Sequence, residues 1–374
     1  MALEPVRLTE DLVGIDTVSS KPCEPLVRRI LDELEPLGAQ VTLQKKPGHD
    51  GQVNLLARLG PDAPGGLALA GHLDTVPWDG SMRATTQAER DGRRLYGRGT
   101  CDMKGAIAGM IHAAAAIDRS ALRKPLWLAF TFEEEIGCHG AKLMEELGPL
   151  RAEHCIIGEP TGLAPVIAHK GYLIAELQFR GTPCHSSDPR EGASALRAAA
   201  RSLDALLSLG DEWCGEPDPN CGLTPPWTTV NVGQMHGGTA RNVVPEAAAL
   251  TLEIRPLPGL DVDALLARAQ QVAAAATRSI PGVELEFTAT ERDAPFSNSS
   301  NAPIVSWLVE ATGQAPTTVP FYTEAAITSR MGASTCVCGP GEIAQAHRVD
   351  EWVELDALEA AAQLYRSAIE EFCT

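Results

Sequence analysis

The chain has 374 residues, 44% of them apolar and 21% charged, and a net charge of −18 at pH 7. That length exceeds what one hydrophobic core usually serves and predicts two domains, while the composition excludes a disordered or fibrous chain. The acidic balance, with no cluster of Lys and Arg, excludes nucleic acid as a partner, and no apolar run is long enough to cross a bilayer.

The chain opens on MALEPVRLTEDLVG, where acidic residues interrupt any signal-peptide core, so a cytoplasmic location is expected. Helical spacing of Leu26, Ile30, Leu34 and Leu37 is followed by strand patterns at 41–43, 53–59 and 66–71. A glycine-rich turn around Gly97 and Gly99 leads into a helix over about 104–118, then come a buried strand at 126–132, a helix at 138–147 and a strand at 154–160. This rhythm predicts an α/β domain with a largely parallel sheet flanked by helices, and such sheets take ligands beyond the carboxyl ends of their strands.

From about Lys170 the pattern changes to a strand at 172–181, a helix at 191–209, strands at 228–238 and 243–256, a helix at 262–280 and a strand at 283–289. Strand, helix, two strands, helix, strand is the split βαβ order, so an α+β domain is expected as an insertion at 175–289, with the Pro/Gly-rich piece 215–227 as a loop inside it. The first domain then comprises 1–174 and 290–374, its return marked by a helix at 303–312, a strand at 334–338 and a closing helix at 355–372. The ten cysteines lack CxxC spacing and read as reduced, mostly buried thiols, with Cys336 and Cys338 in the core.

Each strand end of the first domain carries a potential ligand. His72 and Asp74 end one strand, Asp102 sits in the turn before a helix, Glu133, Glu134 and Glu135 close another strand, Glu159 ends a fourth, and His347 follows the last. Two imidazoles with three or more carboxylates form a mixed N/O set that suits one or two divalent ions, zinc or cobalt rather than calcium. Three adjacent glutamates after a buried strand would repel one another without a cation. GRGTCDMKG (97–105) has the outline of a phosphate cradle, but Asp102 stands where phosphate would sit and no lysine is followed by Ser or Thr, which excludes a nucleotide there.

The pieces GHLDTVP, GRGTCDMKG, TFEEE, IIGEPT, GTPCHSS, HGGTARNVVP, IRPLPG and GPGEIAQAH follow the order and spacing of a known family. From about Leu8 to Cys373 the chain resembles the co-catalytic zinc metallopeptidase (M20) family. Within it, IGEPT, AHKG, IRPLPG, FYTEA and GPGEIAQAHRVDE are most similar to the acetylornithine deacetylase and succinyl-diaminopimelate desuccinylase group, and there to the deacetylase branch. The resemblance implies a zinc-peptidase-like catalytic domain with an inserted ferredoxin-like lid that dimerises, and two divalent ions, Zn2+ or Co2+. It implies a hydrolase that cleaves the amide bond of a small N-acyl amino acid. N2-acetyl-L-ornithine is the first choice, with N-acetylcitrulline or N-succinyl-diaminopimelate as alternatives.

Carried over by position, the resemblance makes Asp102 the bridging carboxylate. His72 and Glu159 complete one metal site, and Glu135 and His347 the other. Asp74 would steady the His72 imidazole, and Glu134 would take the proton of the attacking water and hand it to the departing amine. His185 in the lid would reach the partner subunit's active site and bind the oxyanion. Asn242 and Arg255 would hold the substrate's α-carboxylate, and Glu324 would face its side chain. Glu133 and Glu253 stand where relatives usually carry Asp, and Cys101 beside Asp102 is unusual. Of the other histidines, His169 and His236 adjoin motif glycines as cleft candidates, while His49, His112, His139 and His154 receive no role.

Overall fold

Apolar runs such as LALAGH and LWLAFT are too short for helices and are buried along their whole length, the pattern of central strands covered on both faces. In the computed structural model, which describes residues 4–48, 51–148 and 150–374, they lie at the heart of a mixed sheet. The chain divides into two compact units. One is built from Met1–Ile167, Asn298–Thr317 and Thr323–Thr374, the other from Ala168–Ser297 and Thr318–Tyr322. His49 lies outside the described residues.

In the first unit the strands run in the order Gln40–Lys45, Val53–Leu59, Leu126–Thr131, Leu67–His72, His154–Pro160 and Ser334–Gly339. Only the four from Leu126–Thr131 onward are mutually parallel; Val53–Leu59 and Gln40–Lys45 pair antiparallel. The expected largely parallel sheet is thus a parallel centre with an antiparallel flank. Helices Pro5–Val13, Glu24–Leu34, Lys104–Ala116, Pro303–Thr312 and Leu355–Cys373 share one core with these strands. Lys104–Ala116 is apolar nearly all round, as befits a helix buried between layers. The parallel centre brings four strand ends to one edge, and every candidate ligand read from the sequence lies at or just beyond that edge or in the turn before Lys104–Ala116.

The second unit places Thr229–Gly237, Ala247–Arg255, Tyr172–Arg180 and Glu284–Asp293 side by side in that order, all antiparallel. Helices Ala195–Cys214 and Val262–Arg278 share its core. The two central strands alternate buried and more exposed residues, because helices cover only one face. Both helices start on side-chain caps: Ser194 accepts from the Arg197 N–H, and Asp261 from those of Asp263 and Ala264. The positions 175 and 289 fall inside the strands Tyr172–Arg180 and Glu284–Asp293, so this unit extends beyond both.

A candidate metal centre at the strand ends

The first unit assembles its ligand candidates around Asp102. One carboxylate oxygen, Oδ1, lies 2.9 Å from His72 Nε2, and the other, Oδ2, lies 3.1 Å from His347 Nε2. Beyond the first imidazole, Glu159 Oε1 is 3.7 Å from His72 Nε2; beyond the second, Glu135 Oε1 is 3.0 Å from His347 Nε2. Donor atoms of His72, Glu134 and Glu159 lie within 4.8 Å of one another, and so do those of His72, Asp102 and Glu135. His72, Asp102 and Glu159 are buried, whereas His347 is half-exposed beside a cleft of about 350 Å³ lined by Trp78, Met82, Arg98 and Val349.

The chemistry of this set fits divalent ions. His72 Nδ1 donates its hydrogen to the Asp74 carbonyl at 3.0 Å, so a neutral His72 turns the lone pair of Nε2 toward carboxylate oxygens. Two acceptors facing each other need a proton or a cation between them. Protonation responds accordingly. For His72, burial opposes the charge, yet Asp102 and Asp74 hold the imidazole well above its usual range. Hydrogen bonds to Asp102 and Glu135 raise His347 to about 10. Burial pushes Glu134 and Glu159 well above the usual carboxylate range, and raises Glu135 as well. Asp102 moves the other way, because His347 and His72 outweigh its burial. The metal-free site therefore holds protons that ions would displace.

The glutamate turn divides its three side chains. Glu133 has φ 53° and turns to Lys46 Nζ at 3.0 Å and His139 Nδ1 at 2.8 Å. Its charge is spent there, which corrects the expectation that all three acids repel one another without a cation. Glu134 and Glu135 face the Asp102 cluster instead. Their backbone N–H groups donate to the Asp74 carboxylate at 3.0 and 3.3 Å, and Ser19 Oγ donates to the same group at 2.7 Å. Asp74 was expected to steady His72 through its carboxylate. Its backbone carbonyl accepts the Nδ1 hydrogen, and its carboxylate, 3.6 Å from the same nitrogen, both supports the imidazole's charge and braces the glutamate turn.

Glu324 was expected to face the substrate's side chain. Instead it is buried, with its carboxyl accepting from the Thr131 hydroxyl, and burial raises it to about 7. It lies within electrostatic reach of His72, Asp74 and Glu134. In the second unit, His185 is exposed and pairs with Ser187 Oγ at 2.8 Å. Its strand bridge to Val243 and the Ser186 N–H to Asn242 carbonyl bond bring the GTPCHSS and HGGTARNVVP segments together. Arg255 meets Glu253 Oε1 at 2.5 Å and lies over the Tyr172 ring. His169 is buried against Phe296 and Tyr322, and His236 is exposed on an edge strand.

Sequence reasoning missed the residues that brace these loops: Ser19, Lys46, His139, Thr131, Arg98 and Glu351. None lies within a metal-ligand spacing. Three of them sit inside or at the end of motifs the sequence did offer, Arg98 in GRGTCDMKG, Thr131 in TFEEE and Glu351 at the close of GPGEIAQAHRVDE.

The chain is similar to known proteins along nearly its whole length. The profile of peptidase family M20/M25/M40 matches residues 68–371. Acetylornithine deacetylase of Myxococcus xanthus is 40% identical over 371 residues, covering 98% of this chain and 96% of the relative. Acetylornithine deacetylase of Proteus mirabilis is 35% identical over 372 residues, covering 98% and 94%. Among solved structures, the YXEP protein of Bacillus subtilis, described as a dinuclear metal-binding peptidase of the M20 family, superposes with a TM-score of 0.71 at 16% identity, covering 98% of this chain and 97% of that one.

Proposed function

This chain belongs to peptidase family M20/M25/M40, and from that premise we propose that it hydrolyses N2-acetyl-L-ornithine to L-ornithine and acetate, a step of arginine biosynthesis. The choice of substrate rests on full-length similarity to two deacetylases of that name. The observation that carries the chemistry is Asp102, one carboxylate whose two oxygens each meet a different imidazole. His72, Asp102 and Glu159 would hold one ion, and Asp102, Glu135 and His347 the other. We take the ions to be zinc or cobalt, since imidazole with carboxylate suits both. When bound, such a pair polarises the scissile carbonyl and lowers the pKa of water.

The remaining work falls to the chain's own groups. Among the described residues Glu134 has no imidazole partner like that of Glu135, and its raised carboxyl suits a group that takes a proton and returns it to the leaving amine. Asp74 keeps Glu134 in register through the backbone rather than by touching the substrate. His185 would donate to the developing oxyanion, and Asn242 and Arg255 would grip the α-carboxylate. As an exposed residue of the second unit, His185 fits a homodimer formed through that unit, with the imidazole acting on the partner subunit. A cytoplasmic location is supported by ten cysteines of which none is in a disulfide. No helix among the described residues is long and apolar enough to cross a membrane.

The burial of Glu324 favours a second reading. Without an exposed acid at that position, one reason to prefer the charged ornithine side chain over the ureido group of N-acetylcitrulline is gone. Comparing kcat/KM on N2-acetylornithine, N-acetylcitrulline and N-succinyl-diaminopimelate with the zinc-loaded protein tests both. Fastest release from acetylornithine is expected; faster release from either other substrate overturns the first choice.

A further inference from the structure

The segment that delivers Asp102 has no ladder of its own. Gly97 to Met103 turns sharply, with Gly99 at φ 87°, and its N–H groups need acceptors. Three of them converge on one atom. The backbone N–H groups of Gly99, Cys101 and Asp102 donate to Glu351 Oε1 at 3.0, 3.1 and 3.1 Å. Such a concavity of N–H groups is an anion site, and the chain fills it with its own carboxylate.

The other oxygen of Glu351 is held by Arg98 Nη1, and Arg98 Nη2 reaches the carbonyl of Arg348 at 3.3 Å. Glu351 is fully buried and Arg98 nearly so. Arg348 adjoins His347. Around this pair, the strand Trp352–Glu354 aligns antiparallel with Arg94–Tyr96, and the Gly97 N–H donates to the Glu351 carbonyl at 3.1 Å. Two segments remote in sequence are thereby fastened to each other. One carries the bridging aspartate and the other carries His347.

We propose that Arg98 and Glu351 are positioning residues that fix Asp102 relative to His347, and so set the affinity of the ion held by Asp102, Glu135 and His347. The proposal rests on the two-ion reading above. Neither side chain would touch an ion. Each acts through backbone groups of a ligand segment, Glu351 on the Asp102 turn and Arg98 on the carbonyl beside His347. Arginine suits this place, because its planar fork reaches Glu351 and the Arg348 carbonyl from two separate nitrogens, whereas a lysine offers one nitrogen on a shorter stem. A pair that served the fold alone would change melting and leave metal affinity untouched.

The test uses the full-length protein stripped of metal and titrated with zinc against a competing chelator, alongside melting of the metal-free form. The wild type is expected to take up two ions of separable affinity. Arg98→Lys keeps the charge pair, so its metal-free melting should match the wild type, while its weaker ion binds about 10-fold to 100-fold less tightly, the usual cost of losing an outer partner. Glu351→Gln keeps one oxygen for the N–H groups but offers an amide to Arg98, and should weaken the same ion in that range. The other ion should keep its affinity in both variants. Two ions at wild-type affinity in folded Arg98→Lys, or in folded Glu351→Gln, overturn the positioning role alone. A wild type that takes up fewer than two ions overturns the two-ion reading, and this proposal with it.

Discussion

The two units hold their functional candidates in opposite ways. In the first, His72, Asp102 and Glu159 are buried with His347 half-exposed beside them, and their loops are braced by Asp74, Glu351 and Arg98. In the second, His185 and Asn242 stand exposed on loops, with His185 tied to its own neighbour Ser187. A buried, braced set is organised before anything binds, which is what metal coordination and charge stabilisation demand. Exposed loop residues acquire a role from what they meet. Changes to the ligand set of the first unit should therefore move metal content, and changes in the second should move turnover alone.

The largest effect belongs to the shared carboxylate. Asp102→Ala removes a donor from both sites at once, so metal analysis after dialysis should find both ions depleted and hydrolysis abolished. Full retention of two ions would break the contrast at its centre. Glu134→Gln comes next. It should lower kcat by about 10²–10⁴-fold, the range of a lost general acid–base, with two ions still bound. Metal loss as large as that of Asp102→Ala would make Glu134 a ligand instead. His185→Ala should lower kcat by roughly 10²–10³-fold, as for a lost oxyanion donor, without changing zinc affinity in a chelator competition. Weakened zinc binding there would erase the distinction between the units.

A gentler probe is pH. Asp102 and Glu135 raise His347 to about 10, so near neutral pH the metal-free imidazole is protonated. Zinc uptake should then release protons, measurable as a buffer-dependent heat, and apparent affinity should fall as pH falls. In the metal-free protein the sign reverses. The stabilisation from this pairing is complete below the ordinary imidazole value of 6.5 and is lost as pH rises through about 10. The smallest change is Gly71→Ala. A Cβ there would lie 2.2 Å from the Met103 methyl, which is the end of a flexible side chain. A loss of about 1–3 kcal/mol in chemical denaturation is expected for such overpacking, and an unchanged midpoint would mean that Met103 moves aside freely.

What the sequence reveals is what lies close along the chain. Leu67–His72 and Leu126–Thr131 are legible because a strand buried on both faces must be apolar at every position, and the ligands at their ends stand out against that run. Strand direction is less legible: Val53–Leu59 has the same apolar character and runs antiparallel. The small sheet of Glu89–Asp91, Arg94–Tyr96 and Trp352–Glu354 has strands of three residues, too short to express a period of two. The register of the glutamates was hidden because Glu133 is claimed by Lys46, 87 positions away. Glu351 reaches across 252 positions to the Gly99 N–H, and no local pattern encodes such a contact.

The claim on which the rest depends is that Asp102 stands between two ions. Anomalous scattering from crystals of the zinc-loaded protein tests it directly. Two peaks are expected, one beside each Asp102 oxygen and roughly 3.5–4 Å apart as in other two-metal sites, the first near His72 and Glu159 and the second near Glu135 and His347. A single peak, or two peaks with Asp102 contacting only one, would contradict it.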